Sequence, residues 1–208
     1  LSEGIIAQPT ELYACEVEST DEGWLLHLEI ASERFVALKE RRRNLAGRTG
    51  CGLCGTESLS QVARCSTSVV HRHHFSDAAV LAGMQAMQTL QPMQRQSGAT
   101  HAAAWMTTEG EISFVREDVG RHNALDKLIG AMAAQKTDFT SGALLITSRA
   151  SFEMVQKAAI MNVGLVAAIS APTSLAVELA EKTGVTLIGF MRDDSYVVYS
   201  HADRLVRH

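Results

Sequence analysis

The chain has 208 residues, 46% of them hydrophobic and 20% charged, which is enough apolar material for one large domain or two small ones with a real core. A formal net charge of −4 argues against a broad nucleic-acid footprint, and four cysteines are too few for a disulfide scaffold. No apolar run reaches the roughly 18 residues of a membrane span and no signal-peptide pattern opens the chain, so the reducing cytoplasm is the expected compartment, with neither membrane nor nucleic acid as a partner.

From Leu1 to about residue 45 the sequence reads as a small α+β unit. Thr10–Val17 and Trp24–Ile30 have strand character, and turn formers over Ser19–Gly23 separate them. Trp24, Leu26, Leu28 and Ile30 alternate with Leu25, His27 and Glu29, the pattern of a half-buried strand with His27 facing solvent. Ser32–Arg43 is a predicted helix.

A glycine-rich stretch follows. Cys51 and Cys54 stand at C-x-x-C spacing among Gly47, Gly50, Gly52 and Gly55, and Lys39, Arg41, Arg42, Arg43 and Arg48 precede them. So much glycine disfavours helix and strand and predicts a mobile loop that presents thiols to solvent. Nearby cations lower a thiol's pKa from about 8.5 toward 4–7, and the thiolate is the reactive form. The same arginines suit a phosphorylated ligand. Zinc is the competing chemistry: Cys51, Cys54, Cys65 and His71 are four ligands of acceptable type and spacing. His73 and His74 lie in the same polar stretch, where an exposed loop is expected.

The rest of the chain predicts an α/β domain over 76–208, with 1–75 as the smaller part. Asp77–Gln94 is a predicted helix with Ser76 as N-cap and a core stripe of Ala78, Leu81, Met84, Ala86, Met87 and Leu90. Thr100–Met106 and Ile112–Arg116 form a hairpin around Thr107–Gly110. Helices over Arg121–Ala134, Ser151–Met161 and Ser174–Lys182 then alternate with strands over Ala143–Thr147, Leu165–Ser170 and Thr186–Met191, and Tyr196–Ser200 closes the sheet. The later strands are near-continuous apolar runs, as parallel strands covered on both faces require. The expected architecture is three layers around a mixed sheet, an antiparallel hairpin followed by parallel strands.

Ligands of such sheets bind beyond the carboxyl ends of the strands. Polar residues gather at those predicted ends: Glu117, Asp118, Arg121, His122 and Asn123; Thr147, Ser148, Arg149 and Ser151; Ser170, Thr173 and Ser174; Arg192, Asp193, Asp194 and Ser195. Helix capping accounts for any one of them, whereas four edges together suggest a nucleotide-sized pocket. Glu117 and Asp118 could form an acid/base pair, and salt bridges to Arg116 and Arg121 would explain them equally.

Several segments together resemble the FdhD family of formate dehydrogenase accessory sulfurtransferases: Gly-Arg-Thr-Gly-Cys-Gly-Leu-Cys-Gly at 47–55, Thr-His-Ala-Ala-Ala-Trp at 100–105, Glu-Asp-Val-Gly-Arg-His-Asn-Ala-Leu-Asp-Lys at 117–127, Ser-Arg-Ala-Ser-Phe-Glu-Met-Val-Gln-Lys at 148–157 and the final Leu-Ile-Gly-Phe strand. The resemblance covers the whole chain. It implies that Leu-Ser-Glu-Gly-Ile-Ile is an internal motif, with an N-terminal portion preceding it. It also implies a cytidine deaminase-like C-terminal domain, a homodimer, and passage of persulfide sulfur from a cysteine desulfurase to the bis(molybdopterin guanine dinucleotide) form of the molybdenum or tungsten cofactor, on behalf of formate dehydrogenase. Cys51 takes the carrier role and Cys54 assists it. The cofactor-contacting segment falls on Phe190, Met191, Arg192, Asp193, Asp194 and Ser195, with His101, Arg121, His122, Ser148 and Arg149 as further contacts. A guanine nucleotide such as GDP would mimic part of that ligand. Two other classes stay open: a zinc-stabilised nucleotide-binding module, and a nucleoside deaminase, which needs its C-x-x-C inside the α/β domain.

Overall fold

The computed structural model describes residues 1, 4–45, 68–70, 73–192 and 194–206, without the side chains of 40–45. Cys51, Cys54, Cys65, His71 and Asp193 lie outside the described residues. The chain forms two compact units, Leu1–Thr56 and Glu57–His208.

In the first unit, β1 (Leu12–Thr20) and β2 (Gly23–Ile30) pair antiparallel, from Leu12 opposite Ile30 to Thr20 opposite Gly23, and α1 (Ser32–Leu45) follows. Gly23 sits at φ +140°, outside the comfortable range of other residues, and its carbonyl accepts from the Thr20 hydroxyl at 2.9 Å. Glu11 ties the chain before β1 to α1. Its carboxylate takes both Arg34 Nε and Nη2 at 3.0 Å, together with the amides of Ala7 and Gln8. Those bonds, the Arg34 pair first, hold the Glu11 carboxyl below its usual range. The half-buried strand expected over Trp24–Ile30 is not what forms. Trp24 is 78% exposed, and Leu25, Leu26 and Leu28 are exposed as well. Alternation assigns side chains to faces; a two-stranded sheet has no second layer of its own to cover either face.

The second unit is built on a six-stranded sheet. Its strands are β4 (His101–Thr107), β5 (Ile112–Asp118), β6 (Gly142–Ile146), β7 (Leu165–Ala168), β8 (Thr186–Arg192) and β9 (Ser195–Ser200), in the order β5-β4-β6-β7-β8-β9. β4 is antiparallel to both β5 and β6; β6, β7 and β8 are parallel; β9 returns antiparallel to β8. The helices are α2 (Asp77–Thr89), α3 (Pro92–Ser97), α4 (Arg121–Ala134), α5 (Phe152–Ile160) and α6 (Ser174–Thr183). A short parallel pair, β3 (Phe75–Ser76) with β10 (Leu205–Val206), adds Phe75 and Leu205 to the core.

The strand side chains divide between two cores. Ala103, Trp105, Leu144, Ile146, Val166, Ala168 and Leu187 meet Leu125, Leu128 and Met132 of α4, Val155 and Ala158 of α5, and Leu179 of α6. Ala102, Ala104, Met106, Ala143, Leu145, Leu165, Ala167 and Ile188 meet Val80, Met84 and Met87 of α2. Helices thus cover both faces, which is why the central strands read as unbroken apolar runs. The expected layers and mixed sheet form as expected.

The helix expected over Asp77–Gln94 is divided. Ser76 caps α2 as expected, accepting from the Ala79 amide at 3.0 Å. The helix stops at Thr89, and Pro92 starts α3. Proline lacks an amide hydrogen and disfavours helical geometry in the residue before it. Gln91 is buried at the break and its Nε2 donates to the Met87 carbonyl at 3.0 Å. The buried face is Val80, Gly83, Met84 and Met87, leaving Ala78 and Leu90 exposed. Gly83 turns α2 onto this face, since a Cβ there would lie 2.2 Å from Met106 Sδ.

Candidate functional site

Because β5, β6, β7 and β8 run in one direction and β4 and β9 against it, the ends of the first four and the starts of the other two share one edge. Nearly all the described candidate residues sit along it. His101 opens β4 opposite Asp118, the last residue of β5. Beyond β6, Thr147 locks the edge to β4: the Ala102 amide donates to its hydroxyl at 2.8 Å and its own amide donates to the Ala102 carbonyl at 3.1 Å. Ser148 is buried, its hydroxyl donating to the Arg149 carbonyl at 3.1 Å, while Arg149 is exposed. An isolated parallel bridge joins Ala150 to Pro172, so the segments after β6 and β7 continue side by side past the strands.

Glu117 and Asp118 are not arranged as an acid/base pair. Glu117 is buried and accepts from the amides of Met93 and Gln94, at 3.0 and 2.7 Å, anchoring the first turn of α3. Asp118 accepts from the Gly120 amide at 2.9 Å and Asn123 Nδ2 at 3.2 Å, and pairs with Lys127 rather than Arg121. Lys127 also donates to the Glu117 carbonyl at 3.1 Å. Arg116 turns to its neighbour's carbonyl, on Val115. The Lys127 ammonium is the main cause, and the Gly120 amide the next, of an Asp118 carboxyl held below its usual range.

Arg121 and His122 open α4. His122 Nε2 lies 2.8 Å from Glu153 Oε2 in the first turn of α5. Burial, the largest influence, lowers the His122 pKa below the usual imidazole value; Glu153 opposes this and Arg121 reinforces it. Ser151 stands at the N-cap position of α5 but its hydroxyl does not cap the helix. Ser151 Oγ and Arg121 Nε are both buried without a hydrogen-bond partner among the described residues. Buried polar atoms are rarely left so, and these two stand at the starts of two neighbouring helices at this edge.

The last segment is divided in its roles. Met191 is buried in the core beside the methionines of α2, whereas Arg192, Asp194 and Ser195 are exposed, with the Ser195 hydroxyl donating to the Arg192 carbonyl at 3.1 Å. Phe190 is 42% exposed at φ +54°, in the left-handed region, where the β8–β9 register shifts between Gly189 and Arg192. An aromatic residue in that conformation is an outlier that the bulge holds in place. Its amide donates to the Ser170 carbonyl at 3.3 Å. Sequence reasoning did not single out Glu153, Asp126 or Lys157. The available signal was their i, i+4 spacing, His122/Asp126 and Glu153/Lys157.

The FdhD/NarQ family model matches residues 1–206. The chain is 54% identical over 205 residues to the sulfur carrier protein FdhD of Cupriavidus necator, covering 99% of this chain and 71% of that protein. It is 52% identical to the FdhD of Variovorax paradoxus, over 99% of this chain and 74% of that protein. The chain belongs to the FdhD/NarQ family. A crystal structure described as that of a formate dehydrogenase accessory protein from Desulfotalea psychrophila shares the FdhD/NarQ chain's fold, with a TM-score of 0.74 at 19% identity over 99% of this chain and 75% of that one. Cys51 and Cys54 fall within the span that the family model matches and lie outside the described residues.

Proposed function

We propose that this FdhD/NarQ chain is a sulfur carrier for formate dehydrogenase that works through a persulfide on Cys51. The match to curated sulfur carrier proteins along nearly the whole chain carries this reading. In the proposed reaction the Cys51 thiolate attacks the terminal sulfur of a cysteine desulfurase persulfide. The donor's S–S bond breaks, its sulfur leaves as thiolate, and Cys51 becomes a persulfide. Arg41, Arg42, Arg43 and Arg48 precede Cys51 in the sequence and favour its anion. Attack by Cys54 on the Cys51 sulfur then expels the terminal sulfur as sulfide equivalent to the acceptor and leaves a Cys51–Cys54 disulfide, as in thiol–disulfide exchange.

The acceptor on this reading is the molybdenum bis(molybdopterin guanine dinucleotide) cofactor, taken as substrate, with GDP as a partial mimic. The strand-end edge supports this with Arg121 Nε and Ser151 Oγ as unused donors for phosphate oxygens, His101, His122, Ser148 and Arg149 nearby in the fold, and exposed Phe190 to stack on a ring. The hairpin-led mixed sheet between two helical layers supports a cytidine deaminase-like description of the second unit. We place the protein in the cytoplasm, as a homodimer; no helix among the described residues is long and apolar enough to cross a membrane. A strain whose only copy carries Cys51→Ala is expected to make inactive formate dehydrogenase; full maturation would overturn the persulfide reading.

A further inference from the structure

α4 and α5 carry matched polar pairs one helical turn apart. His122 and Asp126 stand on α4, Glu153 and Lys157 on α5, and residues four apart share a helix face. His122 Nε2 lies 2.8 Å from Glu153 Oε2, and Lys157 Nζ donates to Asp126 Oδ2 at 2.7 Å. These are two rungs between the helices, with the carboxylate on α5 in the first and on α4 in the second. In the second rung Lys157 is buried, 7% exposed, while the Asp126 side chain reaches the surface. The first rung lies at the strand-end edge, in the opening turn of both helices, and depends on where the imidazole proton sits.

A carboxylate oxygen 2.8 Å from an imidazole nitrogen favours a hydrogen on that nitrogen over a lone pair, which it would repel. The contact is out of line for a hydrogen bond, and Nε2 has no other partner among the described residues. The charged groups around the ring are Arg121 and Asp126 on its own helix and Glu153 and Lys157 on the facing one. Burial first, then Arg121 and Lys157, favour the neutral ring, against Glu153 and Asp126. A neutral ring with its hydrogen on Nε2 carries its free lone pair on Nδ1.

We propose that Glu153 is a positioning residue of the acceptor site, holding His122 in the Nε2–H form so that Nδ1 is kept as an acceptor for a hydrogen-bond donor on the bound nucleotide. This rests on the reading of the strand-end edge as the guanine-nucleotide site. It deepens that reading by assigning a tautomer to one residue and a cause to the tautomer.

The test uses the full chain, GDP as probe, histidine nitrogen NMR for the tautomer and calorimetry for affinity. Wild type and Glu153→Asp, which keeps the carboxylate, are expected to show the Nε2–H form. Asp126→Asn, which removes the carboxylate of the second rung and leaves Glu153 in place, is expected to keep it too. In Glu153→Gln the carboxamide can offer its own N–H to Nε2, so the Nδ1–H form should appear and GDP affinity should fall about three- to tenfold, the scale of one hydrogen bond. Retention of the Nε2–H form, or unchanged GDP affinity, in Glu153→Gln would overturn the proposal while leaving the site reading intact. A wild-type chain that does not bind GDP would overturn the site reading, and the ligand role of Glu153 with it.

Discussion

Two residues at the strand-end edge show how local strain and local charge are held in place. Phe190 takes φ +54° although glycine precedes it. Gly189 is needed for another reason: a Cβ there would lie 2.9 Å from Pro172 Cδ and 3.1 Å from the Tyr199 ring. Phe190 itself takes the left-handed conformation, at a cost of about 1–2 kcal/mol, and its ring is exposed at the edge. On the proposed function, Phe190→Gly removes a stacking platform worth about 1–3 kcal/mol and relieves that strain. GDP binding should weaken about tenfold with the melting temperature unchanged or raised; a matching loss of stability would make Phe190 structural only. Asp118 shows the electrostatic case. Its folded-state pKa is depressed, so its stabilisation is fully present above the unfolded value, near 3.9, and is lost as pH falls through the folded one. Asp118→Asn should cost about 1–2 kcal/mol in urea unfolding at neutral pH, and the difference should shrink as pH falls below the unfolded value.

At the scale of elements, the second unit depends on close approach between its sheet strands and on helices that stop where they should. Gly142 opens β6 opposite Thr107, and a Cβ there would meet the Met106 carbonyl oxygen at 2.3 Å and the Trp105 ring at 2.8 Å. A backbone oxygen and a buried indole cannot yield as a side-chain tip can, so Gly142→Ala should cost about 3 kcal/mol, read as a lower denaturation midpoint with an unchanged slope. The elements of this unit were legible because both sheet faces are covered. Ala143–Thr147, Leu165–Ser170 and Thr186–Met191 could be recognised as strands and placed to within two residues of their observed ends. The break at Pro92 was misread because the apolar spacing continues through Leu90, which proves exposed. The hairpin of the first unit was misjudged differently. Alternation over Trp24–Ile30 records which side chains share a face and says nothing of what covers that face. The His122–Glu153 and Asp126–Lys157 rungs were illegible for a related reason. The i, i+4 spacing lies in the sequence, whereas the adjacency of α4 and α5 comes from a sheet order that the sequence does not state.

For the whole molecule, the proposal is sulfur transfer by the Cys51–Cys54 segment to an acceptor at the strand-end edge. Family membership makes that claim specific, since the match extends through the Cys51–Cys54 segment as well as the α/β unit. The most direct measurement is the intact mass of the full chain after incubation with a cysteine desulfurase and cysteine, for wild type and Cys51→Ser. The account predicts a one-sulfur adduct on wild type that reducing agent removes and that Cys51→Ser never acquires. An adduct that persists in Cys51→Ser, or a wild-type chain that takes up no sulfur and retains a zinc ion, would contradict it.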